Sequence, residues 1–593
     1  MKTLLVTLNA KFIHTSLALR YLRAYTLPEH QTVLLEYSIN EPIDKIAQGL
    51  LEQQPDVIAL SCYIWNIEQT LELIRLLHQL MPELTIIVGG PEVSYELEDW
   101  LEREPAIDFI VYGEGEQSLK ELLDYIQGTR ELRDLKGVAY RLNEAIVIAE
   151  SQKLLQLDTI PSPYQHEDLS KLKNRVVYFE ASRGCPFACS YCLSSLDNRV
   201  RFFSIERVKA DLTLLLEAGI RLIKFVDRTF NIKQDYAMEI FEFLVDYHNE
   251  HSSETVFQFE ITADLLSDEL INYLNENVPK GLFRFEIGVQ STNEQTNRLI
   301  NRKQDWERLN KNVHRLQTAG TIELHLDLIA GLPEEDYASF CNSFNQVFAL
   351  GATELQLGFL KVLRGTQIWL EQELYGYQFD KNPPYEVLDN NVLSVDDIAA
   401  IKLVEQMLNR YWNTGYLRTT IKYLTDQKLS GCLTPFDFFL QLGQYWQSQG
   451  YSPIDYQLED LYSRLYQFLA QKQEVGNSGD LDDIDLLFVY DLMKYEFFTR
   501  FKHKPRRVWW PYKFDKEKQT ATLEKLAEHP ELAGNDFVEL GLTKQQMQKQ
   551  LMLDQLQYDI PQYLMSGAVR RQSLLQIIYF DFVNDSRVYF ARI

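Results

Sequence analysis

Short runs of nearly continuous apolar residues alternate with longer stretches in which apolar positions return every three or four residues. Over residues 1–130 the runs TLLVTL, TVLLEYSI, DVIALSCYI, LTIIVGG and DFIVYGEGE predict strands. The segments SLALRYLRAY, EPIDKIAQGLLEQQ, NIEQTLELIRLLHQLMP, ELEDWLERE and QSLKELLDYIQG predict amphipathic helices between them. Strands that are apolar throughout are covered on both faces, so this alternation predicts an α/β domain with a doubly wound parallel sheet. Residues 131–175 read as a connector, with short strands in LKGVAYRLN and AIVIA and a proline-marked linker, IPSPY. Over residues 176–393 a second series follows, with strands in VVYFEASRG, LIKFVDRTF, VFQFEITAD, FRFEIGVQS, IELHLDLIAGLP and ATELQLGFLKVL. Six βα units fit a partial (βα)6 barrel, with an open sheet as the alternative that periodicity does not separate. Residues 394–593 predict a mostly helical domain. The loop EVGNSGDLDDID interrupts it, and YDIPQYLM and QSLLQIIYFDFVNDSRVYFARI at its end look strand-rich.

Length and charge narrow this picture. At 593 residues the chain exceeds one core and predicts three or four domains. With 85 acidic against 59 basic side chains the net charge is -26, which does not suit a general DNA binder, so no nucleic-acid partner is expected. No apolar run approaches the roughly 20 residues of a membrane span, and MKTLLVTLNAKFIH reads as a first strand and not as a signal peptide. The expectation is a cytoplasmic protein with reduced thiols. There, clustered cysteines suggest metal chemistry.

Three of the six cysteines do cluster: FEASRGCPFACSYC places Cys185, Cys189 and Cys192 at C-x3-C-x2-C spacing, straight after a strand. The C-terminal ends of strands carry the active site in βα barrels. Gly184 permits a tight backbone before the first thiol. Three thiolates on a cubane leave one iron open, as catalysis requires, whereas electron-transfer clusters take four cysteines. A zinc site or unligated thiols are the alternatives, but no second cysteine or histidine pair lies nearby.

With Tyr191 just before the last cysteine, this motif resembles that of the radical S-adenosylmethionine (SAM) superfamily. FVDRTF, FEIGVQS and DLIAGLP resemble later strand motifs of the same group. The resemblance implies that Cys185, Cys189 and Cys192 hold a [4Fe-4S] cluster and that SAM chelates the open iron. One electron then splits SAM into methionine and a 5'-deoxyadenosyl radical. It also implies an electron donor such as a flavodoxin or ferredoxin. Candidate SAM contacts are Tyr191, Asp227, Glu286, Gln290, Arg302, Gly331 and Leu332. Glu286 and Gln290 end a strand at the barrel mouth, Gly331 and Leu332 would lie against adenine, and Asp227 and Arg302 suit the amine and carboxylate. For each, a structural salt bridge or turn is the alternative.

In the first domain the carboxyl ends of the strands read LNAKFIH, SCYIWN, VGGPEV and YGEGE, where an open parallel sheet binds its ligand. No G-x-G-x-x-G opens the first helix, which argues against a dinucleotide. Ser61, Gly89, Gly90, Gly113, Glu114 and Gly115 at that edge resemble the cobalamin-binding domain that precedes many radical SAM domains. His14 lacks the flanking aspartate and glycine of a D-x-H-x-x-G motif, so it reads as a lower cobalt ligand, a hydrogen bonder or a helix-start residue. The alternative for the domain is a sheet that binds nothing.

Taken together the resemblance implies a cobalamin-dependent radical SAM enzyme, with methyl transfer to an unactivated carbon of an unknown small-molecule or macromolecular substrate as its simplest chemistry. The alternatives are a methylthiotransferase acting on RNA or protein, and a non-enzymatic cobalamin or redox sensor. The basic, aromatic stretch FKHKPRRVWWPYK from Phe501 to Lys513 either grips phosphates and bases or tucks its rings into a core, the commoner case. The C-terminal domain resembles an uncharacterised extension in one subgroup.

Overall fold

The computed structural model describes residues 1–143, 145–426, 433–474, 485–499, 501, 503–511, 516–583 and 586–592. The chain forms two compact units, Met1–Ala352 with Gln356–Ile398, and Thr353–Leu355 with Ala399–Ile593.

The first unit opens with a seven-stranded sheet built from β1 (Lys2–Asn9), β2 (Gln31–Ser38), β3 (Val57–Ser61), β4 (Thr85–Gly89), β5 (Phe109–Val111), β6 (Val138–Leu142) and β7 (Ala145–Ile148). Its spatial order is β2-β1-β3-β4-β5-β6-β7. Strands β1 to β5 run parallel, and β6 and β7, from the stretch expected as a connector, extend the sheet in antiparallel sense. The strands feed two apolar layers in turn, because successive side chains point to opposite faces. Leu4, Val6, Leu8, Ile58, Leu60, Ile86 and Val88 face one core with helices Ile43–Leu51 and Ile67–Leu80. Leu5, Val57, Ala59 and Ile87 face the other with helices Leu17–Thr26 and Gly115–Ile126. The order reverses between β1 and β3, and such a switch point opens a crevice beyond the strand ends.

The second sheet of this unit holds β8 (Val176–Phe179), β11 (Leu222–Phe225), β12 (Val256–Ile261), β13 (Phe283–Gln290), β14 (Glu323–Ala330) and β15 (Glu354–Phe359) in sequential order. The pairs from β8 to β14 are parallel. A two-stranded ladder of β9 (Ser182–Arg183) and β10 (Arg201–Phe202) closes the base of the loop after β8. A small antiparallel pair, β16 (Gln378–Phe379) and β17 (Val387–Asp389), follows β15. The sequence pattern of six βα units therefore folds as the partial barrel. One face packs on helices through a cluster of rings in mostly tilted and edge-on contact, Phe225, Phe259, Phe283, Phe285 and, from helix Gln234–His251, Phe241. The residues between, Tyr178, Lys224, Gln258, Glu260 and Glu286, are half-buried and polar.

The second unit is mainly helical, with helices Arg418–Leu424, Pro435–Ser448, Leu458–Glu474, Leu486–Phe498 and Lys516–Glu528. A three-stranded antiparallel sheet of β18 (Leu551–Tyr558), β19 (Arg571–Tyr579) and β20 (Arg587–Ala591) completes it. IPQYLM, read as strand-rich from the sequence, is a helix, Ile560–Ser566. Asp559 caps it by accepting from the Gln562 N–H at 3.0 Å, and Pro561 in its first turn needs no donor partner there. Trp510 is buried against Phe497 and Phe498, and Trp509 packs on Tyr462, Tyr466 and Tyr490. The two indoles of the basic stretch thus pack among core rings. Lys502, Tyr512 and Lys513 lie outside the described residues, as do Cys432 and residues 475–484 of the expected acidic loop. No helix among the described residues is long and apolar enough to cross a membrane.

Candidate active site

The cysteine loop hangs from the C-terminal end of β8. Gly184 takes φ +93°, and a Cβ there would sit 2.2 Å from the Arg199 carbonyl oxygen, so only glycine lets the loop start against its own return. The Asp197 carbonyl accepts from the Cys185 N–H at 3.2 Å. All three thiols are free: Cys185 and Cys189 are buried and Cys192 is half-buried. Burial pushes the Cys185 thiol up, opposed by the Phe187 N–H and the Thr229 hydroxyl. Burial also raises Cys189, opposed by the Arg302 guanidinium. Arg302 Nη1 lies 4.0 Å from Cys189 Sγ and donates to Tyr191 Oη at 3.3 Å, and Arg302 Nη2 donates to the Gly288 carbonyl. Three sulfur donors beside a buried cation suit an anionic iron–sulfur cluster, so the donor set fits that group. Among the described residues no three His, Cys, Asp or Glu side chains converge on a single ion.

The remaining predicted SAM contacts divide by position. Gln290, at φ +67°, ends β13 with its Oε1 buried and unpartnered. Gly288 makes room for it, since a Cβ there would meet Gln290 Nε2 at 2.3 Å. Glu286 lies deeper in the barrel, accepting from Lys224 Nζ and Gln258 Nε2, both at 2.8 Å. Asp227 is fully buried and committed to the backbone: its carboxylate accepts from the Ala181 N–H at 3.0 Å and the Ser182 hydroxyl at 2.5 Å. Burial pushes its pKa up to about 7. Asp227 thereby braces the strand end that carries the cysteine loop. Gly331, at φ +93°, lies under Val387, and its carbonyl accepts from Tyr377 Oη at 2.9 Å and Asn390 Nδ2 at 3.2 Å. Leu332 is fully buried.

At the edge of the first sheet, Asn66 ties the switch point together. It donates to the carbonyls of Leu8 and Ser61 at 3.0 Å and accepts from the Tyr63 N–H at 2.8 Å. Ser61 is buried, and its hydroxyl has no partner. Gly90, at φ +111°, is pressed against Cys62, where a Cβ would stand 2.5 Å from the carbonyl oxygen. Gly89 approaches the Val111 carbonyl and Gly115 the Leu22 side chain. Gly113, at φ +75°, faces open space. Large apolar side chains are exposed in the loops after β1 and β3: Phe12 by 73%, Ile13 by 46% and Trp65 by 47%, the last stacked 4.3 Å over Tyr63. An orphaned hydroxyl, an open glycine and exposed rings around one crevice fit a bulky planar ligand such as a corrinoid. His14 bridges to the start of β8, and its Nδ1 shares a hydrogen bond with Tyr178 Oη at 2.8 Å. Burial and the cations Lys11, Lys224 and Arg175 hold its pKa low.

Sheet edge and barrel mouth meet. Glu114 pairs with Arg201, and Arg183 bonds Glu116 at 2.7 Å and Glu180 at 2.8 Å. Tyr385 donates to Glu92, and Arg364 pairs with Glu96. Between the sheet edge and the cysteine loop lies a cavity of about 300 Å³ lined by Tyr95, Glu114, Arg183, Gly184, Leu193 and Arg228, among others. Of its residues, Glu114 and Gly184 were legible in advance. Arg183 was not, and neither were Arg201 and Arg364 nearby, since acids 67 or more positions away, Glu116, Glu114 and Glu96, help to fix them.

Three families match consecutive parts of the chain: the B12 binding domain over residues 3–123, the radical SAM superfamily over 179–347, and a protein family of unknown function, DUF4080, over 373–579. An uncharacterized methyltransferase of Pyrococcus horikoshii is 31% identical over 233 residues, covering 38% of this chain and 51% of that protein. The cobalamin-dependent radical SAM methyltransferase TokK of Streptomyces tokunonensis is 26% identical over 341 residues, covering 53% of this chain and 47% of TokK. The chain thus spans about half the length of these curated relatives. Among solved structures, the radical SAM methyltransferase TsrM from Kitasatospora setae, with cobalamin and a [4Fe-4S] cluster bound, shares the fold with a TM-score of 0.58. The match has 14% identity and covers 75% of this chain and 99% of TsrM. In order along its length, then, the chain carries a B12 binding domain, a radical SAM domain and a DUF4080 region.

Proposed function

We propose that the chain is a cobalamin-dependent radical SAM enzyme that transfers a methyl group to an unactivated carbon of a small-molecule substrate. One observation carries the reading: the loop after β8 that holds the three free thiols lines, through Gly184 and Leu193, the same cavity that Glu114 lines from the edge of the first sheet. Bound there, a cluster with SAM supplies a carbon radical that abstracts hydrogen, and a methylated corrinoid supplies the methyl group.

The chain's own residues arrange this. Cys185, Cys189 and Cys192 would hold the cluster, with the Arg302 guanidinium beside Cys189 to balance its charge and Tyr191 accepting from that arginine. Gln290, with its free carbonyl oxygen, and Glu286, deeper in the lumen, are the SAM-side polar contacts. Asp227, Gly331 and Leu332 support the walls. Ser61, Gly89, Gly90, Gly113, Glu114 and Gly115 form the corrinoid edge, and His14 docks that edge to β8 through Tyr178. The salt bridges of Arg183 and Arg201 keep the two halves in register and limit water at the reacting centre.

The functional divisions are 1–130 for the corrinoid, with 131–175 extending the same sheet through β6 and β7 before linking onward, 176–393 for the cluster and 394–593 as a C-terminal domain. A flavodoxin or ferredoxin of the cytoplasm supplies the electron. A methylthiotransferase would need further cluster cysteines in its first domain, where Cys62 stands alone in the sequence and packs in the core.

The test is anaerobic reconstitution with iron, sulfide and hydroxocobalamin, then dithionite and SAM. About four irons and one corrinoid per chain, with 5'-deoxyadenosine formed, support the reading. A bound corrinoid with a lone zinc, or a cluster that never cleaves SAM, rules it out.

A further inference from the structure

The cavity between the cysteine loop and the sheet edge is lined by two arginines, Arg183 and Arg228, and two acids, Glu114 and Asp197. Three of these four charges are already answered. Arg183 bonds Glu116 at 2.7 Å and Glu180 at 2.8 Å and lies 3.6 Å from Glu114. Glu114 also pairs with Arg201, and Asp197 lies 3.5 Å from Arg199. Arg228 differs. It is exposed to the cavity, and among the described residues its guanidinium makes no hydrogen bond and no ion pair.

Its backbone, by contrast, is held on both sides. The preceding residue, Asp227, accepts from the Ala181 N–H and the Ser182 hydroxyl, and the following one, Thr229, reaches the Cys185 thiol. Arg228 is thus anchored beside the cysteine loop with a free head group. That head lies close enough to Tyr63, at the sheet edge, and Glu260, in the barrel lumen, to oppose the effect of burial on both. A guanidinium offers five donors in a planar fork, and its natural complement is a carboxylate or phosphate bound through two parallel hydrogen bonds. Tyr95, Leu193 and Leu196 supply apolar wall to the same space. At about 300 Å³ the cavity suits a small organic molecule.

We propose that Arg228 is the anion receptor of this cavity, and that the small molecule seated there presents a carboxylate or phosphate to it. This rests on the function proposed above and deepens it by naming the substrate class. The anion is the substrate's own, and the carboxylate of SAM is the competing source that the test separates from it.

The test uses the full chain, reconstituted with cluster and corrinoid, and labelled at arginine with phenylglyoxal. Peptide mass spectrometry reads Arg228 against Arg183, with succinate, phosphate or SAM as protectants. Arg228 is expected to label well ahead of Arg183 and to be protected by succinate or phosphate. Protection by succinate or phosphate when SAM is already saturating assigns the anion to the substrate. Protection by SAM alone overturns the proposal, because the cofactor's own carboxylate then fills the site. Labelling no faster than Arg183, or labelling that none of the three slows, overturns the proposal. Iron and corrinoid counted in the same sample report on the parent reading: full loading without protection sinks Arg228 alone, and no loading sinks the parent reading.

Discussion

The two parallel sheets of the first unit are made from similar βα units, yet they treat their faces differently. The first sheet buries both faces in apolar layers, so its ligand chemistry is confined to the loops at the strand ends, around Ser61, Gly90 and Gly113. The barrel buries one face under phenylalanine rings and keeps Lys224, Gln258, Glu260 and Glu286 on the other. Curling a sheet converts one of its faces into an interior wall, and a wall can carry polar groups that an open sheet must keep at its rim. The lesson is that the rim of one sheet and the inside of the other can share a single reaction space, bridged by ion pairs such as Arg201–Glu114.

The sharpest break in this comparison is chemical. Cys185→Ala, Cys189→Ala or Cys192→Ala is expected to abolish cluster loading and SAM cleavage while corrinoid uptake persists, because the thiols belong to the barrel side alone. Iron assay and corrinoid absorbance on the same sample check it. Next, neighbours on β12 should differ as their faces do. Phe259→Ala removes a fully buried ring and should cost about 3–5 kcal/mol. Gln258→Ala on the lumen face should cost about 1 kcal/mol, the size of one hydrogen bond. Urea unfolding measures both.

At the other rim, Gly90→Ala places a Cβ 2.5 Å from the Cys62 carbonyl in a left-handed backbone, and should weaken corrinoid binding with little effect on iron content. Titration with hydroxocobalamin reads this out. The smallest expected effect is in pH. Asp227 has a folded pKa of about 7 against an ordinary 3.8, so the folded chain holds its proton more tightly than the unfolded chain. Its contribution to stability is complete below about pH 4 and is lost as pH rises towards 7. Asp227→Asn should flatten the dependence of the unfolding midpoint on pH between 4 and 7, by up to one proton. An unchanged slope would show that this carboxyl ionises freely.

Local signals were legible where local physics sets them. Short apolar runs set between amphipathic helical stretches marked both sheets, because parallel strands covered by helices need that alternation. The cysteine spacing marked its loop, and Gly184 marked the tight backbone before the first thiol. The helix Ile560–Ser566 was hidden inside a strand-rich segment, since seven residues carry little periodicity and only the Asp559 cap with Pro561 announced it.

What the chain's order of residues determined by itself is therefore the inventory: which segments are strands, which loop carries thiols, and which strand ends are glycine-rich. Only the tertiary structure decided which groups meet. Asp227 turned towards the backbone of Ala181, His14 met Tyr178 across 164 positions, and Arg228 was left as the unanswered charge in the cavity lining. The reason is physical. Backbone preference and facing are set by neighbours in sequence, while the partner of a charge or hydroxyl is chosen by whatever the folded chain brings within about 3 Å.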